Sequence, residues 1–260
     1  MDASMWVAKT GLDAQNTRMS VISNNLANVN TTGFKRDRAV FEDLLYQNVR
    51  QVGGQTSANT VSPTGLKLGT GVRVIATEKN HTQGNMITTQ NALDLAVSGD
   101  GFFQVLQPDG TMAYTRDGSF KLSPTGQIVT ANGSLLQPAM TVPNTALSIT
   151  VGADGTVTTT VVGGAQQVLG NITIARFPNP AGLSSVGQNL LTATSGSGAV
   201  QQLRPGTAGA GVLLQGTLEA SNVNVVEEMV NMIETQRAYE VNSKAISASN
   251  DMLKFVNNNL

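Results

Sequence analysis

Hydrophobic residues near the N-terminus recur at alternating spacings of three and four, from Met5 to Val29. This is the a/d pattern of a coiled-coil seam, and it predicts a helix from about Ser4 to about Asn30. Gly33 is expected to end this helical segment, because glycine readily takes the left-handed conformation that closes a helix. The seam residues assigned to contacts between helices are Leu12, Gln15, Met19, Ile22, Leu26 and Val29.

The C-terminal part of the sequence has the same spacing. Asn224 followed by Glu227 predicts an N-cap and a capping box, with a helix of about 30 residues after it. A second apolar row, formed by Val226, Val230 and Ile233, lies beside the seam over the first two turns. This second row suggests contacts with further helices. The seam residues assigned to this helix include Met229, Met232, Gln236, Tyr239, Ile246 and Leu253.

Between the two helical segments the sequence changes to short β-type runs separated by turn residues. GFFQVL (101–106), ALSITV (146–151) and TVTTTV (156–161) are examples of such runs. Asp-Gly pairs begin at positions 100, 109, 117 and 154, and this dipeptide is common in tight hairpins. The pattern predicts a mostly antiparallel all-β domain inserted between the helices.

The predicted fold class is α+β, with long N- and C-terminal helices forming a coiled-coil-like stalk. The helical domain is expected to comprise residues 1–33 and 221–260, and the central β domain residues 72–220. Residues 34–71 are predicted to be an extended connector, and a long polar loop of this kind is usually functional or disordered. If the helices pair, they must be antiparallel, because one leads into the β domain and the other leads out of it.

The heptads have two interpretations. A two-helix stalk buries little apolar surface by itself, and helices from other copies of the chain would complete its packing. Alternatively, the two helices form a hairpin that caps the chain's own β domain without any assembly. Short heptad runs also arise in ordinary amphipathic helices, so the spacing alone leaves both interpretations open.

The amino-acid composition argues against several classes of function. The formal net charge is −1 and charged residues make up 13% of the chain, so nothing indicates nucleic-acid binding. The absence of cysteine excludes disulfides and thiolate chemistry. No apolar stretch approaches the roughly 20 residues of a membrane helix, so the chain is not expected to be membrane-embedded. The N-terminus lacks the apolar segment of a cleavable signal peptide.

No group of residues has the spacing of a catalytic or metal site. His81 is the single histidine and has no paired carboxylates near it in the sequence, so it is assigned a structural role. Each Asp of an Asp-Gly pair stands nearly alone, whereas a calcium loop needs several carboxylates. The sequence therefore predicts no catalytic residue, no metal and no cofactor. An enzyme acting on peptidoglycan is the enzymatic alternative, and the sequence shows no acid/base pair for it.

Two long stretches resemble the terminal motifs of the bacterial flagellar rod and hook proteins. At the N-terminal end they are SNNLANVNTTGFKR (23–36) and AVFEDLLYQ (39–47). At the other end the similar stretch is SNVNVVEEMVNMIETQRAYEVNSKAISASNDML (221–253). GDGFFQV (99–105) and YTRDGSF (114–120) resemble pieces of the family's central β domain. Together these motifs cover both ends of the chain and part of its middle.

The resemblance implies a structural subunit, exported unfolded through the flagellar type III apparatus, that polymerises helically into a hollow shaft. It implies contacts with further copies of the chain, proximal rod proteins, the hook protein, and the peptidoglycan and outer-membrane ring proteins. The length resembles that of a rod subunit, because a hook protein would carry a further outer β domain. The extended connector is the kind associated with the distal rod. A proximal rod or short hook-type subunit is the alternative.

The asparagines at the end of the first helix are then interpreted as contacts that fix the register between subunits. Asparagine offers both donors and acceptors, and polar residues at seam positions fix register. Solvent-exposed asparagines at a fraying helix end are the alternative. Residues assigned to this junction with other subunits are Asn24, Asn25, Asn28, Asn30, Gly33 and Phe34. The seam residues named above for the two helices are assigned to the subunit interface as well.

Overall fold

The computed structural model describes residues 3–53, 55–57, 60–61 and 63–258. These residues contain two α-helices, α1 (Ala3–Ala27) and α2 (Val225–Asn258), and a 3-10 turn at Pro180–Gly182. The strands, in chain order, are β1 (Asp37–Asp43), β2 (Gln47–Arg50), β3 (Gln55–Ser57), β4 (Thr60–Val61), β5 (Leu66–Leu68), β6 (Val72–Lys79), β7 (Met86–Thr88), β8 (Leu95–Ser98), β9 (Phe102–Leu106), β10 (Met112–Thr115), β11 (Lys121–Leu122), β12 (Ile128–Val129), β13 (Leu135–Gln137), β14 (Ala146–Val151), β15 (Thr156–Val161), β16 (Gln166–Asn171), β17 (Ile174–Arg176), β18 (Ser184–Gly187), β19 (Leu190–Thr192), β20 (Gln201–Leu203), β21 (Val212–Gln215) and β22 (Thr217–Glu219).

The described chain forms two compact units. Unit 1 consists of described residues within 3–26, 37–78 and 224–258, and unit 2 of residues 27–36 and 79–223. The predicted α+β class, with terminal helices flanking an antiparallel β-rich centre, is confirmed. The predicted division into a helical domain, a connector and a β domain stays a prediction.

Within unit 1, α1 and α2 pack antiparallel, as their places in the chain predict. Ser4 Oγ lies 3.4 Å from Ser249 Oγ near one end of the pair. Near the other end, Asn25 Nδ2 lies 3.4 Å from Glu228 Oε2. The N-cap of α2 is also confirmed, because Asn224 Oδ1 accepts a hydrogen bond from the backbone N–H of Val226 at 3.0 Å.

The segment predicted to be a loop-like connector contains paired strands. β1 pairs with β6, β2 with β5 and β3 with β4, so that the chain forms a long two-stranded ribbon. Two ion pairs, Arg38–Glu78 and Arg73–Glu42, link β1 to β6. These strands could not be recognised from the sequence, because backbone hydrogen bonds between two exposed strands need no apolar periodicity. Four connector residues lie outside the described part of the chain: Gly54, Ala58, Asn59 and Ser62.

Unit 2 is built on an antiparallel sheet with the strand order β11-β12-β13-β9-β10-β19-β18, to which β17 and β20 are added through β9. A three-stranded sheet, β14-β15-β16, contributes Val151 and Val157 to the same core. Phe102 and Phe103 are adjacent on β9 and therefore point to opposite faces of the sheet. Phe103 enters the main core, and Phe102 joins a second apolar cluster with Phe177.

The sequence runs predicted as strands in the centre of the chain form strands in the structure. Two of the Asp-Gly pairs make tight hairpin turns. Gly110, with φ of +85°, follows Asp109 between β9 and β10, and Gly155, with φ of +86°, follows Asp154 between β14 and β15. Hydrogen bonds from the following threonine hold the pKa of the Asp109 and Asp154 carboxyls below the usual value. These aspartates are turn residues, as predicted.

Candidate assembly surface and a buried charge cluster

The observed hydrogen bonds and the closest approach between α1 and α2 involve small and polar residues of α1. A Cβ atom added at Gly11 would lie 3.1 Å from Asn242 Nδ2, so the helices approach closely there. Arg18 donates a hydrogen bond of 3.4 Å to Asn231 Oδ1. Together with Ser4 and Asn25, Gly11 and Arg18 form a row of contacts that recurs every seven residues along α1. The predicted seven-residue repeat is present. The row of contacting residues, however, lies one position before the predicted row of Met5, Leu12, Met19 and Leu26.

The seam of α2 is also displaced by one residue from the predicted one. Glu228 and Thr235 are buried. Their spacing places them on the same side of α2 as Asn231 and Asn242, and Glu228, Asn231 and Asn242 all lie close to α1. The predicted seam residues Met229, Gln236, Tyr239 and Leu253 are exposed instead, whereas Met232 and Ile246 are partly buried. The three-four spacing was correct, but the buried row of α2 carries the polar residues Glu228 and Thr235. The hydrophobic pattern instead indicated the neighbouring row, in which Met229 and Tyr239 are exposed.

The first two turns of α2 carry an exposed apolar face, which we call the α2 stripe. Its members lie at i, i+3, i+4 and i+7 and so share one side of the helix. The relative exposure of the stripe residues is 70% for Val226, 51% for Met229, 50% for Val230 and 49% for Ile233. Burying such side chains would contribute on the order of 1 kcal/mol each. A contiguous apolar face of this kind is typical of a protein-protein contact.

Asn25 has partners within its own unit. Its Nδ2 donates to the carbonyl of Asp37 at 2.8 Å, and its Oδ1 accepts from the Asp37 N–H at 2.9 Å. The side chain is 1% exposed. Asn25 thus closes a two-point contact between α1 and the start of the ribbon, which gives a physical reason for one asparagine of the SNNLANVN stretch.

Unit 2 contains the Gly-Phe-Lys stretch that follows α1. Gly33 has φ of +67°, and its N–H donates to the carbonyl of Glu219 at 2.8 Å. A Cβ atom at this position would lie 2.5 Å from the backbone nitrogen of Asp117. Phe34 is buried, with the ammonium of Lys79 at 5.3 Å from its ring centroid. Glycine is therefore required at position 33 both by the backbone angle and by the space available.

A buried charge cluster, consisting of Lys35, Glu219 and Arg116, lies next to this stretch. Lys35 Nζ is 2.6 Å from Glu219 Oε1, and Arg116 NH1 is 3.4 Å from Glu219 Oε2. All three side chains are at most 5% exposed. Burial lowers the pKa of Lys35, and the carboxylate of Glu219 partly opposes that effect. Burial likewise lowers the pKa of Arg116, again with Glu219 acting in the opposite direction.

Backbone groups complete the hydrogen bonding of the buried charge cluster. Lys35 Nζ also donates to the Thr82 carbonyl at 2.8 Å, and the Gly84 N–H donates to Glu219 Oε1 at 2.8 Å. The Arg116 guanidinium donates to the carbonyls of Val97 and Gly99, at 3.1 and 2.7 Å. A buried ion pair is stable only when such additional contacts offset its desolvation. The cluster therefore joins five separate stretches of unit 2.

Asn222 fixes a further junction in unit 2. Its Oδ1 accepts from the Arg36 N–H at 2.7 Å, and its Nδ2 donates to the carbonyls of Asn80 and Thr82 at 2.8 and 3.0 Å. The side chain, which is partly buried, uses both its acceptor and its donors. Sequence reasoning missed Asn222, Lys35 and Glu219. Each looks like an ordinary surface residue, although all three lie inside or beside the motifs that carry the family resemblance.

The sequence-predicted interface residues thus fall into different environments. Ile22, Asn25, Gly33 and Phe34 are buried within the described chain. Asn24 is exposed. Partly buried members are Leu12, Gln15, Met19, Leu26, Asn28, Val29, Met232 and Ile246, and exposed ones are Met229, Gln236, Tyr239 and Leu253. Their assignment to a subunit interface stays a prediction.

No arrangement resembling a metal centre is found within the described residues, since no three or more His, Cys, Asp or Glu side chains converge there. None of the helices described is long and apolar enough to cross a membrane.

Three family profiles match the chain. They are described as the flagella basal body rod protein (residues 5–35), the flagellar hook protein FlgE/F/G D1 domain (residues 96–159) and the flagellar basal body rod FlgEFG protein C-terminal region (residues 214–259). The first profile includes residues 23–35 of the N-terminal motif but not the stretch 39–47, and the last profile includes the whole C-terminal motif, residues 221–253.

Full-length relatives agree with the profiles. The chain is 53% identical to the flagellar basal-body rod protein FlgG of Buchnera aphidicola subsp. Acyrthosiphon pisum, with 98% of each chain covered. It is 46% identical to the protein of the same name from Borreliella burgdorferi, over 99% of this chain and 98% of the relative. The corresponding protein of Bacillus subtilis is 37% identical, with 96% of each chain covered.

Proposed function

The chain belongs to the flagellar basal-body rod protein family, and we propose that it is the subunit from which the distal rod is built. As a rod protein it is a structural component of the flagellar basal body. In the proposed role, copies of the chain polymerise helically into a hollow, rigid shaft that transmits torque from the motor to the hook. The similarity over nearly the whole length of proteins named FlgG supports this role over a proximal rod or hook-type subunit.

The α2 stripe is the observation that carries the proposal. Its four large apolar residues face away from the polar seam with α1 and remain about half or more exposed. Leaving this face in water forgoes the free energy of burial, whereas a helix from a second copy would cover it. The residues of the predicted interface that are exposed in the described chain, such as Met229 and Tyr239, are available for the same purpose.

The ribbon provides a second exposed apolar surface in unit 1. Leu45 is 90% exposed, and Val49, Leu66 and Leu68 are between 45% and 56% exposed. Neighbouring copies would bury these side chains if the ribbon lies between subunits of the shaft. A paired ribbon resists bending better than a loop, so its position between subunits would favour a stiff polymer.

The proposed partners follow from the assembly. They are further copies of this chain, proximal rod proteins on one side, the hook protein on the other, and the peptidoglycan and outer-membrane ring proteins around the shaft. The flagellar type III export apparatus would deliver the unfolded chain, and the shaft would span the periplasm. The family's structural role argues for a protein without catalysis.

The test places a carboxylate in the α2 stripe by the substitution Val230→Asp. Val230 is exposed in the isolated chain, so the variant should fold normally, whereas in the polymer the carboxylate would be buried without a partner. Cells that produce only this variant should export it but assemble no distal rod. Electron microscopy of purified basal bodies, together with the amount of exported protein, measures the two steps separately.

Val230→Thr is the matched control, because threonine keeps the β-branched shape and adds no charge. We expect rods and swimming close to those of the unmodified protein. Straight, full-length rods built from Val230→Asp would show that the α2 stripe is not a subunit contact.

A further inference from the structure

The two helices of unit 1 differ in length. α1 has 25 residues and α2 has 34. The contacts that join them share one antiparallel register, in which Ser4 lies beside Ser249. Continuing that register by one residue places Ala3, where the described part of α1 begins, level with Asn250. Residues 251–258, which we call the α2 extension, therefore run past the described part of α1 for about 12 Å.

The side of α2 that faces α1 changes in character at this point. As far as Ser249 the row with three-four spacing consists of small or polar residues, namely Glu228, Asn231, Thr235, Ala238, Asn242, Ala245 and Ser249. The next position of the same row is Met252, which is 67% exposed. Leu253 and Phe255 of the α2 extension are 43% and 71% exposed. A large apolar surface thus begins where the described residues of α1 no longer cover the row, as is typical of a contact with another chain.

The α2 stripe and the α2 extension lie at opposite ends of one helix. The stripe spans residues 226–233 and the extension residues 251–258, so each covers eight residues, or about 12 Å. When copies stack in the same orientation, the extension of each copy reaches the stripe of the next. Such a head-to-tail contact stays open at both ends and therefore builds a filament, whereas an antiparallel pair would close into a dimer.

The charges of α2 favour contact between its unlike ends. Residues 225–240 contain four glutamates and one arginine, whereas residues 241–258 contain two lysines and one aspartate. Glu234, next to the stripe, has a side chain that is 64% exposed, and that of Lys254 on the extension is 76% exposed. Two stripes facing each other would bring glutamates together, whereas a stripe against an extension brings opposite net charges together.

We propose that the α2 stripe of one copy is covered by the α2 extension of the neighbouring copy, with the two α2 helices side by side just past the beginning of α1. This inference rests on the proposed polymerisation and identifies the segment that covers the stripe. An overlap of roughly two helical turns is much smaller than a stable dimer interface. The chain should therefore stay monomeric in dilute solution and form this contact where other contacts hold the copies in the shaft.

The absence of cysteine from the chain allows the contact to be trapped by a disulfide. The test variant combines Val230→Cys with Met252→Cys. Within one copy these positions lie about 33 Å apart along α2, far beyond the reach of a disulfide, so any bridge must join two copies. Both side chains are at least half exposed in the isolated chain, so the variant should fold normally.

Cells that produce only this variant are grown with a reductant, and their purified basal bodies are then oxidised. Electrophoresis without reductant should show a ladder of dimers, trimers and longer covalent chains. Each single substitution should give monomers. The matched control combines Val241→Cys with Met252→Cys, because Val241 is a 66% exposed valine of the same helix outside the stripe. This control should give no ladder.

Three results would overturn the proposal. Dimers from Val230→Cys alone would mean that one stripe faces another. Dimers without longer chains from the double variant would mean a closed antiparallel pair. Normal rods without a ladder, both from this variant and from Ile233→Cys combined with Met252→Cys, would mean that another helix of the shaft covers the stripe. That third result leaves the proposed function intact, whereas full-length rods from Val230→Asp would remove the α2 stripe from the assembly altogether.

Discussion

Lys35 Nζ lies 2.6 Å from Glu219 Oε1, although 184 positions separate the two residues in the sequence. Lys35 follows α1 in the chain and Glu219 is the last residue of β22, just before α2. Both side chains are almost fully buried. Within unit 2 this pair therefore connects the two stretches where the chain enters and leaves its helices.

Replacing Glu219 by glutamine should strongly destabilise unit 2. The substitution leaves the charges of Lys35 and Arg116 buried without a carboxylate, and breaking a buried pair in this way costs about 3–5 kcal/mol. Urea unfolding of the full-length monomer, followed by near-ultraviolet circular dichroism, measures the change in the free energy of unfolding. Glu78→Gln is the control, because Glu78 pairs with Arg38 on the surface and should contribute less than about 1 kcal/mol. Equal effects of the two substitutions would contradict a structural role for the buried charge cluster.

Gly33→Ala should be more damaging than alanine at another left-handed glycine. Gly133 has φ of +84° with open space around it, so Gly133→Ala measures the backbone strain alone, on the order of 1 kcal/mol. At Gly33 the new methyl group would also meet the Asp117 backbone at 2.5 Å, and we expect a loss of about 3 kcal/mol or more. Comparing the urea midpoints of the two variants tests this. If the losses are equal, the close approach of the backbones is not what selects glycine at position 33.

The parts of the fold that sequence could predict are those governed by local interactions. Asn224 caps α2 because its side chain reaches N–H groups two and three residues ahead. Asp109 and Asp154 make hairpin turns with the glycines that follow them. In each case the preference lies within a few residues, so a single sequence contains the necessary information.

Contacts between distant positions could not be predicted in this way. Nothing near Lys35 in the sequence indicates Glu219 as its partner, and a short basic cluster is usually solvated. The α2 seam was misplaced by one residue because Asn231 contacts α1 and Glu228 and Thr235 are buried, while the predicted seam residue Met229 is 51% exposed. The periodicity of a sequence gives the spacing of the residues that contact a neighbouring helix. Which of several adjacent rows of residues makes that contact depends on the neighbouring helix itself.

His81 makes the stability of unit 2 depend on pH. The pKa of His81 is about 4 in the folded chain, mainly because of burial, and about 6.5 in the unfolded chain. Below pH 6.5 the unfolded chain therefore binds a proton that the folded chain does not bind, and acid favours unfolding. The contribution of His81 to stability is complete above pH 6.5 and declines as the pH falls towards 4. Below that value both states are protonated and the loss is complete.

Replacing His81 by glutamine should remove this part of the pH dependence. Glutamine cannot titrate. Between pH 7 and pH 4 the free energy of unfolding should therefore fall by roughly 3 kcal/mol less in the variant than in the unmodified chain. Urea unfolding in chloride-free buffer at half-unit pH steps measures both curves, and carboxylates common to the two proteins cancel in the difference. The difference between the curves should change most steeply between pH 6 and pH 4.5. Parallel curves over that interval would mean that His81 titrates alike in the folded and unfolded chains, and hence that its ring is not held in a buried, cation-rich environment.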